Sequence, residues 1–341
     1  MRAPAFWWRP GSGGWFAPLA RTYGAAAAAR MRFKGRSVGV PVICLGNLTV
    51  GGAGKTPAAL AVARLLLAAH EHPFFLSRGY GGRLHGPMRV DTTAHSAAEV
   101  GDEPLLLARL APTIVARDRV DGAKAARRSG ASVVVMDDGF QNPTLAKDLA
   151  ILVVDGRRGI GNGRVIPAGP LRAPLETQIA RANALVIVGP PHGAAGVADV
   201  ARRRGVAILH GHLEPDRSTL AALGSRKVLA FAGIADPEKF FATLAVAGIA
   251  VAERASFPDH HRYTAKEAQA LLARASADNF VLMTTEKDLV RLAGDQRLAA
   301  LANRASALPV RLMIEEKDVF RDLILKAVRA AAPVPRPRTP A

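Results

Sequence analysis

The chain has 341 residues, a formal net charge of +18 and a single cysteine. That length can build two domains with sizeable cores, and 49% hydrophobic with 22% charged residues is a globular balance. The lone cysteine excludes a disulfide framework and a cysteine-based metal site and fits a reducing compartment, while the basic excess calls for an anionic partner: nucleic acid, a membrane surface or a phosphorylated substrate. Aromatic residues make up only 5%, which argues against base-stacking surfaces.

Residues 1–36 stand apart. No Asp or Glu occurs before Glu71, and Arg2, Arg9, Arg21, Arg30, Arg32, Lys34 and Arg36 are interleaved with Phe6, Trp7, Trp8, Trp15, Phe16, Leu19 and Tyr23. No apolar run here approaches the roughly 20 residues of a spanning helix. Basic residues among interfacial aromatics predict a segment lying on an anionic membrane, the alternative being a helix docked on the protein's own core. Residues 25–31 are helical by propensity.

The next stretch organises the chain. An apolar run at 38–45, a single buried strand containing Cys44, leads into Thr49-Val50-Gly51-Gly52-Ala53-Gly54-Lys55-Thr56, and a helical pattern follows at 58–69. Strand, glycine-rich loop, Gly-Lys-Thr and helix form a P-loop, although Thr49 stands where the usual pattern begins with Gly. Its backbone N–H groups and helix dipole suit phosphate oxygens, Lys55 suits the β- and γ-phosphates, and the Thr56 hydroxyl suits Mg²⁺.

Short apolar runs at 73–77, 113–116, 132–137, 149–155 and 184–188 alternate with helical patterns at 97–110 and 120–129, and another follows at 197–204. The alternation predicts a mostly parallel sheet with helices on both faces, over residues 37–223. A second series starts near Lys227: strand 228–232, helix 237–247, strand 249–254, helix 265–275, strands 280–284 and 310–314, and helix 318–331. It predicts a smaller α/β domain over 224–331, followed by a Pro- and Arg-rich, disordered tail at 332–341.

The chemistry gathers at strand ends. Val133 to Met136 leads into Asp137-Asp138, and a carboxylate ending a strand beside a P-loop strand helps to hold Mg²⁺. Arg78, in Ser77-Arg78-Gly79-Tyr80-Gly81-Gly82, and Arg117-Asp118-Arg119 both follow strands and offer cations to an anionic ligand. Asp102 opens Gly101-Asp102-Glu103-Pro104 and is either a helix-start acid or a base for a hydroxyl proton. His260 and His261 follow Asp259 in a loop of the second unit. The Gly/Pro-rich stretch 162–172, with Arg164 and Arg172, predicts an ordered loop over a site. Thr284-Thr285-Glu286-Lys287-Asp288 is out of register for a guanine-binding motif.

Taken in order, residues 47–57, Arg78-Gly-Tyr-Gly, Gly101-Asp-Glu, Asp137-Asp-Gly-Phe-Gln, Pro167-Ala-Gly-Pro-Leu-Arg, Asp259-His and Thr285-Glu-Lys-Asp resemble the tetraacyldisaccharide 4'-kinase family. The resemblance spans 42–288. It implies transfer of the ATP γ-phosphate, with Mg²⁺, to the 4'-hydroxyl of a tetraacylated glucosamine disaccharide 1-phosphate in lipid A biosynthesis. It implies work at the cytoplasmic face of an inner membrane; a monomer with no nucleic-acid partner is the further expectation. Carried onto this chain, it implies Asp102 as base with His260 as its partner, Lys55 at the phosphates, and Thr56 with Asp137 or Asp138 at the metal. It also implies Arg78, Arg119, Gln141 and Arg172 at the lipid head group. One departure is local: Ala173 replaces the carboxylate of the family's Leu-Arg-Glu-Pro. The competing reading is a P-loop ATPase or GTPase serving as an assembly factor.

Overall fold

The structure is a computed structural model, and it describes residues 3–52 and 54–331. Ala53 and the 332–341 tail, to which the sequence assigned a P-loop position and disorder, lie outside the described residues.

The first unit begins with helix α1 (Ala17–Met31) and continues through β1 (Val42–Asn47), α2 (Lys55–Ala68), β2 (Pro73–Ser77), β3 (Met88–Arg89), α3 (Ala97–Val100) and α4 (Asp102–Ala108). Then come β4 (Thr113–Val115), α5 (Arg119–Arg128), β5 (Val133–Asp137), β6 (Leu149–Asp155), α6 (Leu175–Ile179), β7 (Ala184–Val188), α7 (Ala195–Arg203) and β8 (Ala207–Pro215). The second comprises α8 (Arg217–Leu223), β9 (Val228–Ala232), α9 (Pro237–Val246), β10 (Val251–Ser256), α10 (Ala265–Ala277), β11 (Val281–Thr285), α11 (Glu286–Ala293), α12 (Ala299–Arg304) and β12 (Ala305–Leu308). The chain ends in β13 (Val310–Ile314) and α13 (Lys317–Ala331).

The large sheet has the order β13-β8-β7-β6-β1-β5-β2-β4-β3. It is parallel except at its edges, where β3 and β13 run antiparallel to β4 and β8. Its central strands are buried along their whole length, as a parallel sheet covered on both faces requires. Alternate residues of β1 and β5 therefore feed two cores. Val42, Cys44, Val134 and Met136 pack toward α5, α6 and α7, and Ile43, Leu45, Val133 and Val135 toward α2, α4 and α13. Cys44 is a fully buried core residue, as its place in the strand predicted. The smaller sheet, β10-β9-β11-β12, is wholly parallel. Phe241 and Leu244 of α9 cover one face, and Leu271, Leu292 and Leu301 of α10, α11 and α12 the other.

Three features differ from the sequence reading. First, β13 and α13 do not finish the second unit. Strand β13 pairs with β8, and Phe320, Ile324 and Val328 of α13 join the core under α2. Amphipathic periodicity reveals that a helix has an apolar face but not which core receives it. Second, the pattern at 97–110 is two helices, broken at Gly101. There φ is +89°, and a Cβ would lie 2.5 Å from the carbonyl oxygen of Tyr80, so only glycine fits. Third, β3, β8, β12, α6, α8, α11 and α12 were not read from the sequence.

Helix α1 is longer than the propensity of 25–31 indicated. Its segment divides its aromatics. Trp7 is buried and its indole N–H donates to the Pro167 carbonyl at 3.0 Å, and the Arg158 guanidinium stands 5.2 Å from the Trp8 ring. Trp15, Phe16, Leu19 and Tyr23 are exposed, Leu19 standing three or four residues from each of the others, and Trp15 is 97% exposed. No described helix is long and apolar enough to cross a membrane.

Candidate active site

A cleft of about 1530 Å³ opens between the two units, at the C-terminal ends of the large sheet's strands. Ligands of open α/β sheets bind at this edge. The P-loop forms one wall. Gly54, with φ +91°, turns the chain into α2 and brings Lys55 and Thr56 into its first turn, where both are buried. The loop is braced from below. Asn47 donates its amide N–H to the Gly51 carbonyl at 2.7 Å, and Gln178, fully buried, donates to the Leu48 and Ala173 carbonyls. The Gly/Pro stretch runs beside the loop as a strap: the Val50 N–H donates to Pro170 and the Arg172 N–H to Leu48.

Two carboxylates meet this wall. Asp138, with φ +53°, pairs with Lys55 Nζ at 2.9 Å and with Arg172 at 2.7 Å. Burial opposes its charge, but those two cations outweigh it and hold it well below the usual carboxylate range. Asp137, opposite Leu45 on the P-loop strand, is 1% exposed, and neither carboxylate oxygen has a hydrogen-bond partner. Burial, reinforced by the charge of Glu103, pushes it up to about 7.

The facing wall joins the start of α4, in the first unit, to residues of the second. Asp102 begins α4 and is buried; its Oδ1 accepts from the Glu103 N–H at 2.9 Å. Its Oδ2 receives Arg291 Nε at 2.7 Å and Arg291 Nη2, with His260 Nδ1 at 3.4 Å. Burial alone would raise this carboxyl, but the hydrogen bond from His260 and the charges of Arg291 and Lys287 lower it. The hydrogen bond to Asp102 in turn raises His260 above 6.5, against its own burial. His260 sits at φ +55°, and its ring lies 5.1 Å from that of Tyr80. His261 points elsewhere and meets Glu267 at 3.0 Å. Glu103 pairs with Lys287 at 2.6 Å. On the cleft's far side Arg157 and Arg158 pair with Asp236, and Lys239 pairs with Asp155 at 2.9 Å.

A phosphate cradle thus faces an Asp–His pair across a cleft large enough for two substrates, the arrangement of a phosphoryl-transfer enzyme. The family model for tetraacyldisaccharide-1-P 4'-kinase matches residues 14–329. The chain belongs to the tetraacyldisaccharide 4'-kinase family. The tetraacyldisaccharide 4'-kinase of Rhodopseudomonas palustris strain BisA53 is 55% identical over 97% of both chains. That of Afipia carboxidovorans is 51% identical, covering 97% of this chain and 98% of its own. The LpxK crystal structure from Aquifex aeolicus, solved in complex with ATP, superposes with a TM-score of 0.70 at 28% identity, over 93% of this chain and 99% of that one. The protein is accordingly an ATP-dependent kinase of lipid A biosynthesis, with the P-loop α/β fold that the sequence indicated, and the assembly-factor reading is not favoured.

Within this kinase the residues picked from the sequence separate. Thr49, Val50, Gly51, Gly52, Gly54, Lys55, Thr56, Asp137 and Asp138 gather at the P-loop, and Asp102 meets His260 across the cleft. Arg78 is exposed beside Tyr80. The expected lipid contacts fare differently. Arg119 is 2% exposed and donates to the Ala116 carbonyl at 2.6 Å, so it does not face the open cleft. Gln141 donates to the Asn47 carbonyl and to Gln178, which makes it part of the P-loop's support. Arg172 is drawn to Asp138 and the Thr49 carbonyl, on the nucleotide side. All three were expected there from the family resemblance, whose motifs do not reveal which way a side chain turns. Ala173 is fully buried in the core. Glu103, Lys287, Arg291 and Gln178 were missed. Lys287 and Arg291 stand four apart in a helical pattern, a detectable signal for one shared face, but their partners lie 184 and 189 residues away.

Proposed function

We propose that this kinase binds ATP on the P-loop and transfers its γ-phosphate to a sugar hydroxyl held beside the Asp102–His260 pair. The observation that carries the reading is that pair, brought from two units of the chain to the mouth of a phosphate cradle. Lys55, held at the loop by Asp138, and the loop's N–H groups take the phosphates. Asp137 fits a hard cation: it is a buried carboxylate with both oxygens unpartnered, on the strand next to the P-loop. We assign Mg²⁺ to Asp137 and Thr56, where it would offset charge on the transferring phosphate. Asp138, already engaged with two cations, steadies Lys55 and Arg172.

Proton transfer belongs to the pair. Both oxygens of Asp102 are occupied, which makes it a weak acceptor by itself. It holds His260 Nδ1 and leaves Nε2, 3.9 Å from Asp259, to take the hydroxyl proton. Asp102 then stabilises the imidazolium. The acceptor is the 4'-hydroxyl of a tetraacylated disaccharide 1-phosphate, which the names of the relatives support. Arg78, exposed at the loop that carries Tyr80, suits the anionic head group.

The enzyme works on an inner-membrane surface. Drawing acyl chains out of a bilayer costs about 0.8 kcal/mol per CH₂, which a surface-bound enzyme avoids. The exposed Trp15, Phe16, Leu19 and Tyr23, flanked by the exposed Arg9, Arg21, Arg30 and Arg32, support docking there. Trp7 and Trp8 anchor the same segment to the protein, so docking on the core and contact with lipid are complementary. The deciding experiment supplies γ-labelled ATP, Mg²⁺ and a tetraacyldisaccharide 1-phosphate in detergent. Label enters the lipid, and Lys55→Ala slows its entry on the order of 10²–10³-fold. ATP hydrolysis with unlabelled lipid would overturn the reading.

A further inference from the structure

Arg291 has no part in the chemistry described above, yet it makes the closest contact to the Asp102 carboxylate. Its guanidinium is held at both ends. Nε and Nη2 both donate to Asp102 Oδ2, while Nη1 donates to the Gly233 carbonyl at 2.6 Å and to Asp288 Oδ1 at 2.8 Å. The second end is rigid. Asp288 is fully buried and also accepts from Tyr263 Oη at 3.0 Å, the Thr285 hydroxyl at 2.6 Å and the Gly233 N–H at 3.1 Å. A side chain at Gly233 would press on Asp288, since a Cβ there would lie 3.0 Å from Oδ1. Arg291 is thus a fixed fork of the second unit that reaches the catalytic carboxylate of the first. The other charged groups around Asp102 are Glu103 on its own helix, Lys287 on α11, and His260 with Asp259 in the 258–262 loop.

We propose that Arg291 is a positioning residue for phosphoryl transfer: it fixes the Asp102 carboxylate so that Oδ2 is presented to His260, and so makes proton transfer depend on how the second unit is seated. The inference rests on the Asp102–His260 reading. A planar fork is what the task needs, because two parallel N–H donors fix an oxygen in direction as well as distance. Lysine would supply the charge without the direction. Nothing in the contact reaches the P-loop, so the effect falls on turnover and not on nucleotide affinity.

The test is a double-mutant cycle on the full-length kinase, with labelled ATP and tetraacyldisaccharide 1-phosphate. Arg291→Ala lowers kcat on the order of 10²-fold, the cost of a mispositioned catalytic group, with the KM for ATP unchanged. In an Asp102→Asn background the same substitution costs little more, because the group it acts through is already disabled. Arg291→Lys recovers part of kcat, as does millimolar guanidinium added to Arg291→Ala, whereas equimolar NaCl does not. Should Arg291→Ala fail to fold, Arg291→Lys in both backgrounds carries the same test: its smaller loss vanishes in Asp102→Asn. Full activity in Arg291→Ala, or an equal loss in both backgrounds, overturns the inference alone. Unchanged kcat in Asp102→Asn overturns the proton-transfer reading, and this inference with it.

Discussion

Asp137 and Asp102 are both buried carboxylates in one cleft, and their surroundings are opposite. At the P-loop wall Asp137 has no hydrogen-bond partner and is pushed up to about 7. At the interface between the two units, Asp102 is bound by Arg291, His260 and a backbone N–H, and is driven down. Burial penalises the charge in both. The partners decide the sign. On the function proposed above, the wall that takes an external cation and phosphates keeps its ligand atoms unfilled, and the wall that orients a proton acceptor is filled in advance. The price of the second arrangement is sensitivity to the seating of α11, since Lys287 and Arg291 both reach across to the start of α4.

That contrast can be broken experimentally. The largest effect is expected at Asp102. Asp102→Asn lowers kcat on the order of 10²–10⁴-fold with the KM for ATP little changed, because the proton-transfer pair is lost while the cradle is intact. Steady-state phosphotransfer checks it; an equal rise in the KM for ATP would place Asp102 on the nucleotide wall. Lys55→Ala follows, with a loss on the order of 10²–10³-fold, as for other donors aimed at developing charge. There nucleotide binding, read by calorimetry, weakens as well, which separates the two walls.

The stability of the filled wall is the next test. Asp288→Ala leaves Arg291 with fewer partners and several buried donors unsatisfied, and is expected to cost about 3–5 kcal/mol in denaturant unfolding. Asp137→Asn removes no protein hydrogen bond and should leave the midpoint nearly unmoved. A comparable loss in both would erase the distinction. The smallest effect concerns pH. His260 is raised above 6.5, and only its neutral form accepts a proton, so kcat/KM rises with pH through a midpoint above 6.5. His260→Gln removes that limb. A limb that survives the substitution belongs to another group.

The cradle and the large sheet were legible because they are local. The run Val42–Asn47, the glycines and Gly54-Lys55-Thr56 are contiguous, and the backbone chemistry they serve needs no distant partner. The Asp137-Asp138 pair was legible for the same reason, as the end of an apolar strand. Gly101 was visible as a residue and not as a break, because its need for positive φ comes from Tyr80, packed against it through tertiary structure. Arg119, Gln141 and Arg172 were expected at the lipid head group from the resemblance, yet each turns its polar end to a partner that chain order does not reveal.

The sequence by itself determined the P-loop, the parallel α/β class, the family and the candidates Asp102 and His260, because each is written in short motifs or in periodicity. Only the tertiary structure decided that β13 and α13 return to the large sheet and that Trp7 is anchored while Trp15 is free. It alone decided that Arg291 and Lys287 meet Asp102 and Glu103. The reason is physical: a buried charge is tolerable only beside its counter-charge, and folding is free to draw that counter-charge from almost two hundred residues away.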